Sequence, residues 1–367
     1  MASSDLGVDP QWLTAVLRES GALTRGRVVR LDVEPMSSRN SLTVQLRATF
    51  DGAAPDDAPA ELVLKRNASA AWSVQAGQSE VAFYRLVAGL RDHPAGIVPC
   101  LGCGIDDVSG DSFVLLADLS TSHQVVVPRE VQIAMKQGIP ADSQIVGVVD
   151  TLARIQAFWW ERVTEPFEVA GWCRDAAEFA AFLQRRDAAW RQMSADHGSW
   201  LPSDVLDLFE YILPRLRGYW ERELRDRMVK RQQLTLVHGD AYFANFLGPK
   251  VPGAGPTYLI DWQSPSFDVG AGDLVNLCAT WWTSEQRNER RREERILLRY
   301  HDQLIAGGVM DYTYDDLRAD YARALIDWVL VPVQDAANGS SLDYWWPKMQ
   351  CLISAFRDWN CVSLLAP

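Results

Sequence analysis

Apolar residues fall at every second position in "LTVQLRATF": Leu42, Val44, Leu46, Ala48 and Phe50 alternate with Thr43, Gln45, Arg47 and Thr49. A period of two presses one side of an extended chain against a core, and it predicts a half-buried antiparallel strand. The upstream "RVVRLDVE" is its natural partner, and the turn-rich "DGAAPDDAP" leads into a third strand, "ELVLKR". A helical stretch around "SEVAFYRLVAGLR" comes next, then "VPCLGCGI" and "SFVLLADL", two strands separated by the turn "DDVSGD". Ahead of them all, Asp9 and Pro10 take the N-cap and first-turn positions of a short helix that Gly21 closes. Residues 1–118 thus read as a mostly antiparallel sheet carrying one main helix.

The pattern then changes. From about residue 144 the apolar spacing is helical, in "SQIVGVVDTLARIQAFWWER", "DAAEFAAFLQRRDAAWRQM" and "SDVLDLFEYILPRLRGYWERELRDRM". Two short strands interrupt these helices, "LTLVH" and "TYLIDW", and "GPKVPGAGP" forms the far tip of the connection between them. The segregation of sheet from helices predicts an α+β protein with two domains, 1–118 and 119–367.

Composition narrows the class. The chain has 367 residues, 48% apolar and 23% charged, enough for a large core. No basic leader followed by an apolar stretch opens it, and no run approaches the roughly 20 apolar residues that span a bilayer, so a soluble cytoplasmic protein without a membrane partner is expected. The six cysteines are few and irregularly spaced, which suits a reducing compartment; "CLGC" has metal-like spacing but no second pair completes four ligands. A formal charge of −12 disfavours nucleic acid as a partner and suits a cationic small substrate somewhat better. Six arginines in 285–299 are interleaved with four glutamates at helical neighbour spacing, the pattern of a solvated, salt-bridged helix face.

The chemistry concentrates in "HGDAYFAN" and "LIDW". Asp240 and Asn245 lie just past one strand and Asp261 in the next, so the loop between can gather all three. Two carboxylates and an amide oxygen are hard ligands of the kind Mg²⁺ prefers. Taken alone, such aspartates also commonly cap turns.

The motif "HGD", an asparagine five residues after its aspartate and an apolar strand ending "IDW" resemble the aminoglycoside phosphotransferase and choline kinase-like superfamily. "IDWQ" is most similar to its ecdysteroid-kinase-like group and bacterial relatives, and the resemblance extends in element order over roughly residues 36–360. It implies a two-lobed, protein-kinase-like fold with an antiparallel-sheet N-lobe for nucleotide and a mostly helical C-lobe for catalysis and acceptor. It also implies transfer of the terminal phosphate of ATP, with GTP not excluded, to a hydroxyl of a small molecule such as an antibiotic, sugar, amino alcohol or steroid-like compound.

Residue by residue, the resemblance gives Asp240 the acceptor hydroxyl, and Asn245 and Asp261 the Mg²⁺. Lys65 in "VLKR" would meet the nucleotide phosphates with Glu80 as its partner, and the backbones of Ala117 and Leu119 would meet adenine. Lys65 also reads as a sheet-surface residue, and Glu80 as a first-turn acid. The phosphate-covering loop falls at "PMSSRNS", where a glycine-free sequence leaves Ser38, Asn40 and Ser41 to approach phosphates. Gln156 stands where the superfamily often has a histidine, and it is given no catalytic role. Asp273 reads first as a helix cap or first-turn acid.

For the acceptor wall, Asp268, Asp327, Trp328 and Asp335 are the candidates, in a lobe that holds thirteen of the fifteen tryptophans. Two rivals stand beside this reading. A protein kinase lacks room here, with "DFG" and "APE" absent and about a dozen residues between Asp261 and Asp273. A catalytically inactive nucleotide- or ligand-binding protein is favoured by the glycine-free loop and opposed by the complete set of five site residues. Oligomeric state is not legible.

Overall fold

The computed structural model describes residues 7–37, 41–134, 138–162 and 175–366. Ser38 and Asn40, proposed for the phosphate loop, lie outside them. Helix α1 (Pro10–Glu19) begins where Asp9 accepts the Trp12 N–H at 2.7 Å, with Pro10 supplying the fixed φ of the first turn. There follow β1 (Val28–Pro35), β2 (Ser41–Phe50), β3 (Glu61–Asn67), helix α2 (Ala71–Ala88), β4 (Cys100–Ile105) and β5 (Ser112–Ala117). The strands form one antiparallel sheet in the order β1-β2-β3-β5-β4. Helix α2 begins two turns earlier than the apolar spacing predicts.

The two faces of this sheet follow from alternation. Val44, Leu46, Leu62, Leu64 and Leu115 pack with Leu13 and Leu17 of α1, whereas Val114 and Leu116 pack with Val81 and Phe83 of α2. Leu42 runs beyond the first cluster and is exposed, so the buried stripe of β2 is shorter than its alternation. On β3, Leu62 and Leu64 turn towards α1, which aims the intervening and following odd positions the other way. Lys65 is thereby directed to the α2 face.

The rest of the chain comprises β6 (His123–Val125), α3 (Arg129–Ile133), α4 (Asp142–Trp159), α5 (Ala176–His197), α6 (Ser203–Ile212), α7 (Leu216–Glu223) and α8 (Arg225–Lys230). Then come β7 (Thr235–Val237), β8 (Phe246–Pro249), β9 (Tyr258–Leu259), β10 (Ser266–Asp268), α9 (Ala271–Cys278), α10 (Ser284–Asn288), α11 (Arg292–Ala306), α12 (Tyr314–Trp328), α13 (Val331–Ala337) and α14 (Leu342–Asp358). The apolar cluster under α2 is continuous with this helical part, running from Phe83 through Leu152 and Trp262 to Leu352. The architecture is α+β, as the segregated pattern predicts, and no helix among the described residues is long and apolar enough to cross a membrane.

Three predicted elements are corrected. The helix expected over 203–228 is broken: Pro214 lacks an N–H and crowds the preceding turn, so α6 ends in a 3₁₀ turn at Leu213–Arg215 before α7. The arginine-rich stretch is not one solvated face. Arg290 and Arg291 adopt left-handed φ values of 50° and 56° and divide it, while Arg287 is fully buried and pairs with Glu293 at 3.3 Å and Asp358 at 2.7 Å. Third, the strand of "TYLIDW" stops at Leu259, which leaves Asp261 outside it.

Candidate active site

Lys65 is where the two halves of the chain meet. Its Nζ lies 2.8 Å from Glu80 Oε1 on α2 and 2.5 Å from Asp261 Oδ1, 196 residues away. Burial opposes the charge on this lysine, but the Asp261 and Glu80 carboxylates together outweigh it and hold the pKa above its ordinary value. Burial likewise works against a charged Asp261; the Lys65 ammonium nevertheless keeps that carboxyl below its usual range. Ser41, at the start of β2, borders the same small recess as Lys65 and Glu80.

Asp261 has φ +69°, a conformation in which a side chain is strained and which non-glycine residues adopt chiefly at turns and functional sites. The turn is held by His238. The Asp240 N–H donates to His238 Nδ1 at 3.2 Å, which leaves the proton on Nε2 to be donated to Ile260 O at 2.9 Å. Burial pushes the pKa of this imidazole down to about 4, so it is neutral and ties the "HGD" loop to the segment bearing Asp261. Trp262 braces the same joint, edge-on to His238 at 4.7 Å and stacked on Phe83 of α2 at 3.9 Å.

Gly239 has φ +79°, and a Cβ there would come within 2.4 Å of Ser264 O. The loop therefore turns on the one residue type that fits. Asp273 secures it from below. Its Oδ2 accepts the His238 N–H at 2.8 Å and its Oδ1 the Gly239 N–H at 2.9 Å, and Gln156 Nε2 donates to Oδ2 at 2.8 Å. Asp273 stands in the first turn of α9, as expected of a first-turn acid, but Gly270 holds the cap position and the Asp273 carboxylate serves the loop rather than its own helix. Burial raises its pKa to about 6 despite those donors. Gln156 is in turn fixed by the Tyr300 hydroxyl, which donates to its Oε1.

Asp240 opens into a cavity of about 390 Å³, within the range of roughly 300–1,000 Å³ typical of small-molecule sites. Its carboxylate receives Asn276 Nδ2 at 3.3 Å and, more weakly, Asn245 Nδ2 at 3.4 Å; Asn245 also donates to the Asp240 carbonyl at 2.8 Å. Although its surface is open to the cavity, the protein atoms packed around the carboxyl desolvate it and raise its pKa to about 7. The Lys348 charge opposes that rise, and the Asp261 charge adds to it.

Asp261 lines the same cavity, as do all four acceptor-wall candidates, Asp268, Asp327, Trp328 and Asp335. Asp335 is ion-paired with Lys348 at 2.9 Å, and Asp268 accepts the Val269 N–H at 2.8 Å. Away from the cavity, the Ala117 N–H is donated to Pro99 O at 3.0 Å within the sheet, so only the carbonyl of Ala117 is left for adenine. The Leu119 N–H has no partner among the described residues. Among those residues no group of three or more His, Cys, Asp or Glu could hold a metal unaided.

Sequence reasoning missed Asn276 and Lys348. Asn276 carried a signal, since it follows Asp273 by three positions and so shares its helix face towards the loop. Lys348 carried none: it arrives from α14, more than a hundred residues beyond the motif.

A protein from Ralstonia eutropha JMP134, assigned as an aminoglycoside phosphotransferase, superposes with a TM-score of 0.58 at 14% identity over 96% of this chain and 98% of its own. Choline kinase from Cryptosporidium parvum gives 0.56 at 9% identity, covering 91% and 89%. The GDP complex of aminoglycoside 2′-phosphotransferase-IIIa gives 0.50 at 13% identity, covering 90% and 94%. At such identities the likeness is one of fold, and it bears out the two-lobed, kinase-like architecture. No curated protein matches the chain. The sequence profile of the phosphotransferase enzyme family matches residues 43–307, well over half of the chain, and this protein belongs to that family.

Proposed function

We propose that the protein transfers the terminal phosphate of ATP, or of GTP, to a hydroxyl of a small-molecule acceptor, with residues 1–118 as the nucleotide lobe and 119–367 carrying the catalytic loop and acceptor site. The observation that supports it best is the three-way contact of Lys65 with Glu80 and Asp261 at the edge of the cavity into which Asp240 opens. A lysine fixed by two carboxylates is pre-positioned for phosphates, and a carboxylate at the cavity floor is positioned for a hydroxyl.

The donor set fits Mg²⁺. Asn245 uses its amide nitrogen on Asp240, which leaves Oδ1 for a cation, and Asp261 has a second carboxylate oxygen beyond the one on Lys65. One amide and one or two carboxylates, completed by phosphates and water, are the ligands this ion takes. When bound, Mg²⁺ would neutralise charge developing on the phosphate oxygens. Asp240 aligns the acceptor hydroxyl and takes its proton as the new bond forms; its raised pKa suits that proton better than an ordinary carboxylate would. Asp273, Gln156 and His238 hold the loop at the geometry this alignment needs.

Thermal unfolding with MgATP tests the reading. The wild type gains about 2.7 kcal/mol at a hundred times the dissociation constant, and Lys65→Met gains little at the same concentration. Equal stabilisation of both proteins would remove Lys65 from the nucleotide site, and none in either would leave the family fold without its nucleotide.

A further inference from the structure

Lys348 is buried, 6% exposed, yet it borders the same cavity as Asp240. Its ammonium has three N–H donors and one hydrogen-bond partner among the described residues, Asp335 Oδ2 at 2.9 Å. The faces of Tyr344 and Trp281, at 5.3 and 5.9 Å, cover it from other sides. A buried ion pair of this kind stabilises a fold little better than an apolar pair of equal volume. Stability alone is therefore a weak reason for a charge here.

Three other cations among the described residues stand near the cavity and each is engaged: Arg186, which lines it, lies over the Phe182 ring at 4.9 Å. Lys65 is held by Glu80 and Asp261, and Arg323 by Glu223 and Asp320. The "HGDAYFAN" loop has no lysine or arginine of its own. Lys348 is the cation whose charge most affects Asp240, and it approaches from the acceptor side, where Lys65 does not reach.

We infer that Lys348 is a catalytic residue that donates to the oxygens of the phosphoryl group as it passes to the hydroxyl aligned on Asp240, with Asp335 holding its ammonium in place. This rests on the phosphotransferase reading above. In the step, the bond from the terminal phosphorus to the bridging oxygen breaks with its electron pair going to the nucleoside diphosphate. The acceptor oxygen forms the new bond to phosphorus, its proton passes to Asp240, and Lys348 keeps its protons throughout. A preorganised ammonium at that point counters charge spread over the phosphoryl oxygens, where electrostatic stabilisation acts most strongly.

The test uses the full chain with Mg²⁺ and ADP, with and without aluminium fluoride as the mimic of a phosphoryl group in flight. The wild type is expected to bind ADP at least ~10-fold more tightly with fluoride than without. Lys348→Met keeps the affinity for MgADP and loses the fluoride gain, and Lys348→Arg recovers part of it. Because Lys348→Met strands Asp335, the double variant Lys348→Met/Asp335→Asn is measured beside it and must lose the gain too. A full fluoride gain in either methionine variant overturns the proposal, as does a wild type that binds MgADP with no gain. Failure of the wild type to bind MgADP at all would instead overturn the phosphotransferase reading on which the proposal stands.

Discussion

His238 is a side chain whose position in "HGD" suggests chemistry and whose surroundings give it a structural task. Fully buried, it accepts from Asp240 N and donates to Ile260 O, bonds that only the neutral ring with its proton on Nε2 makes together. With a folded pKa of about 4 against roughly 6.5 unfolded, the folded state binds fewer protons between those values. Its contribution is therefore fully present above about pH 6.5 and is lost as pH falls towards 4, by roughly 2–3 kcal/mol. His238→Gln, compared with wild type by denaturant unfolding across pH 4–7, is expected to lose less stability on the acid side. An identical acid limb in both proteins would contradict a buried neutral histidine. At this scale the sequence was informative about Lys65, Glu80, Asp240, Asn245 and Asp261 because their order along the chain carries the resemblance. It was silent on Lys348, which shares the cavity through tertiary packing alone, and it assigned Asp273 to its own helix because spacing cannot reveal that the carboxylate reaches a neighbouring loop.

Elements explain why the site holds its shape. The turn between β7 and Asp240 depends on Gly239 at φ +79°, with Ser264 O against the space a Cβ would fill. Gly239→Ala adds both backbone strain and a clash with a main-chain atom, so turnover should fall by at least ~10-fold while the melting temperature drops by a few degrees. Unchanged kinetics would mean that the loop tolerates a shift there. Farther off, Arg287 joins α10 to Glu293 of α11 and Asp358 of α14 with no exposed surface. Arg287→Met leaves Glu293 buried without its cation and should cost about 3–5 kcal/mol in unfolding experiments without altering the affinity for nucleotide. A loss below about 1 kcal/mol would show that Tyr321 and Trp359, which also donate to Glu293, suffice. Alternation made the strands readable, and helical spacing made α4 and α5 readable. Arg287 was not, because a charged, polar stretch reads as solvated until its partners from α14 are known. The break at Pro214 follows from the proline itself and outweighs the apolar spacing on either side.

At the scale of the molecule, the apolar cluster beneath α2 continues into the helical part, so Glu80, Lys65 and Asp261 are fixed relative to one another by packing as well as by charge. The stacking of Phe83 on Trp262 is the apolar counterpart of the Lys65 bridge. The overall charge of −12 is not spread evenly at the site, where Lys348 and Arg323 stand among the acids that line the cavity. The function proposed for this cavity is to receive a hydroxyl and return a phosphate ester. Its most direct test is mass spectrometry of a library of hydroxylated small molecules incubated with Mg²⁺, ATP and either wild type or Asp240→Ala. A gain of about 80 Da on one or more acceptors is expected with the wild type and none with the variant, which still binds nucleotide. Product formed at the wild-type rate by Asp240→Ala would contradict it.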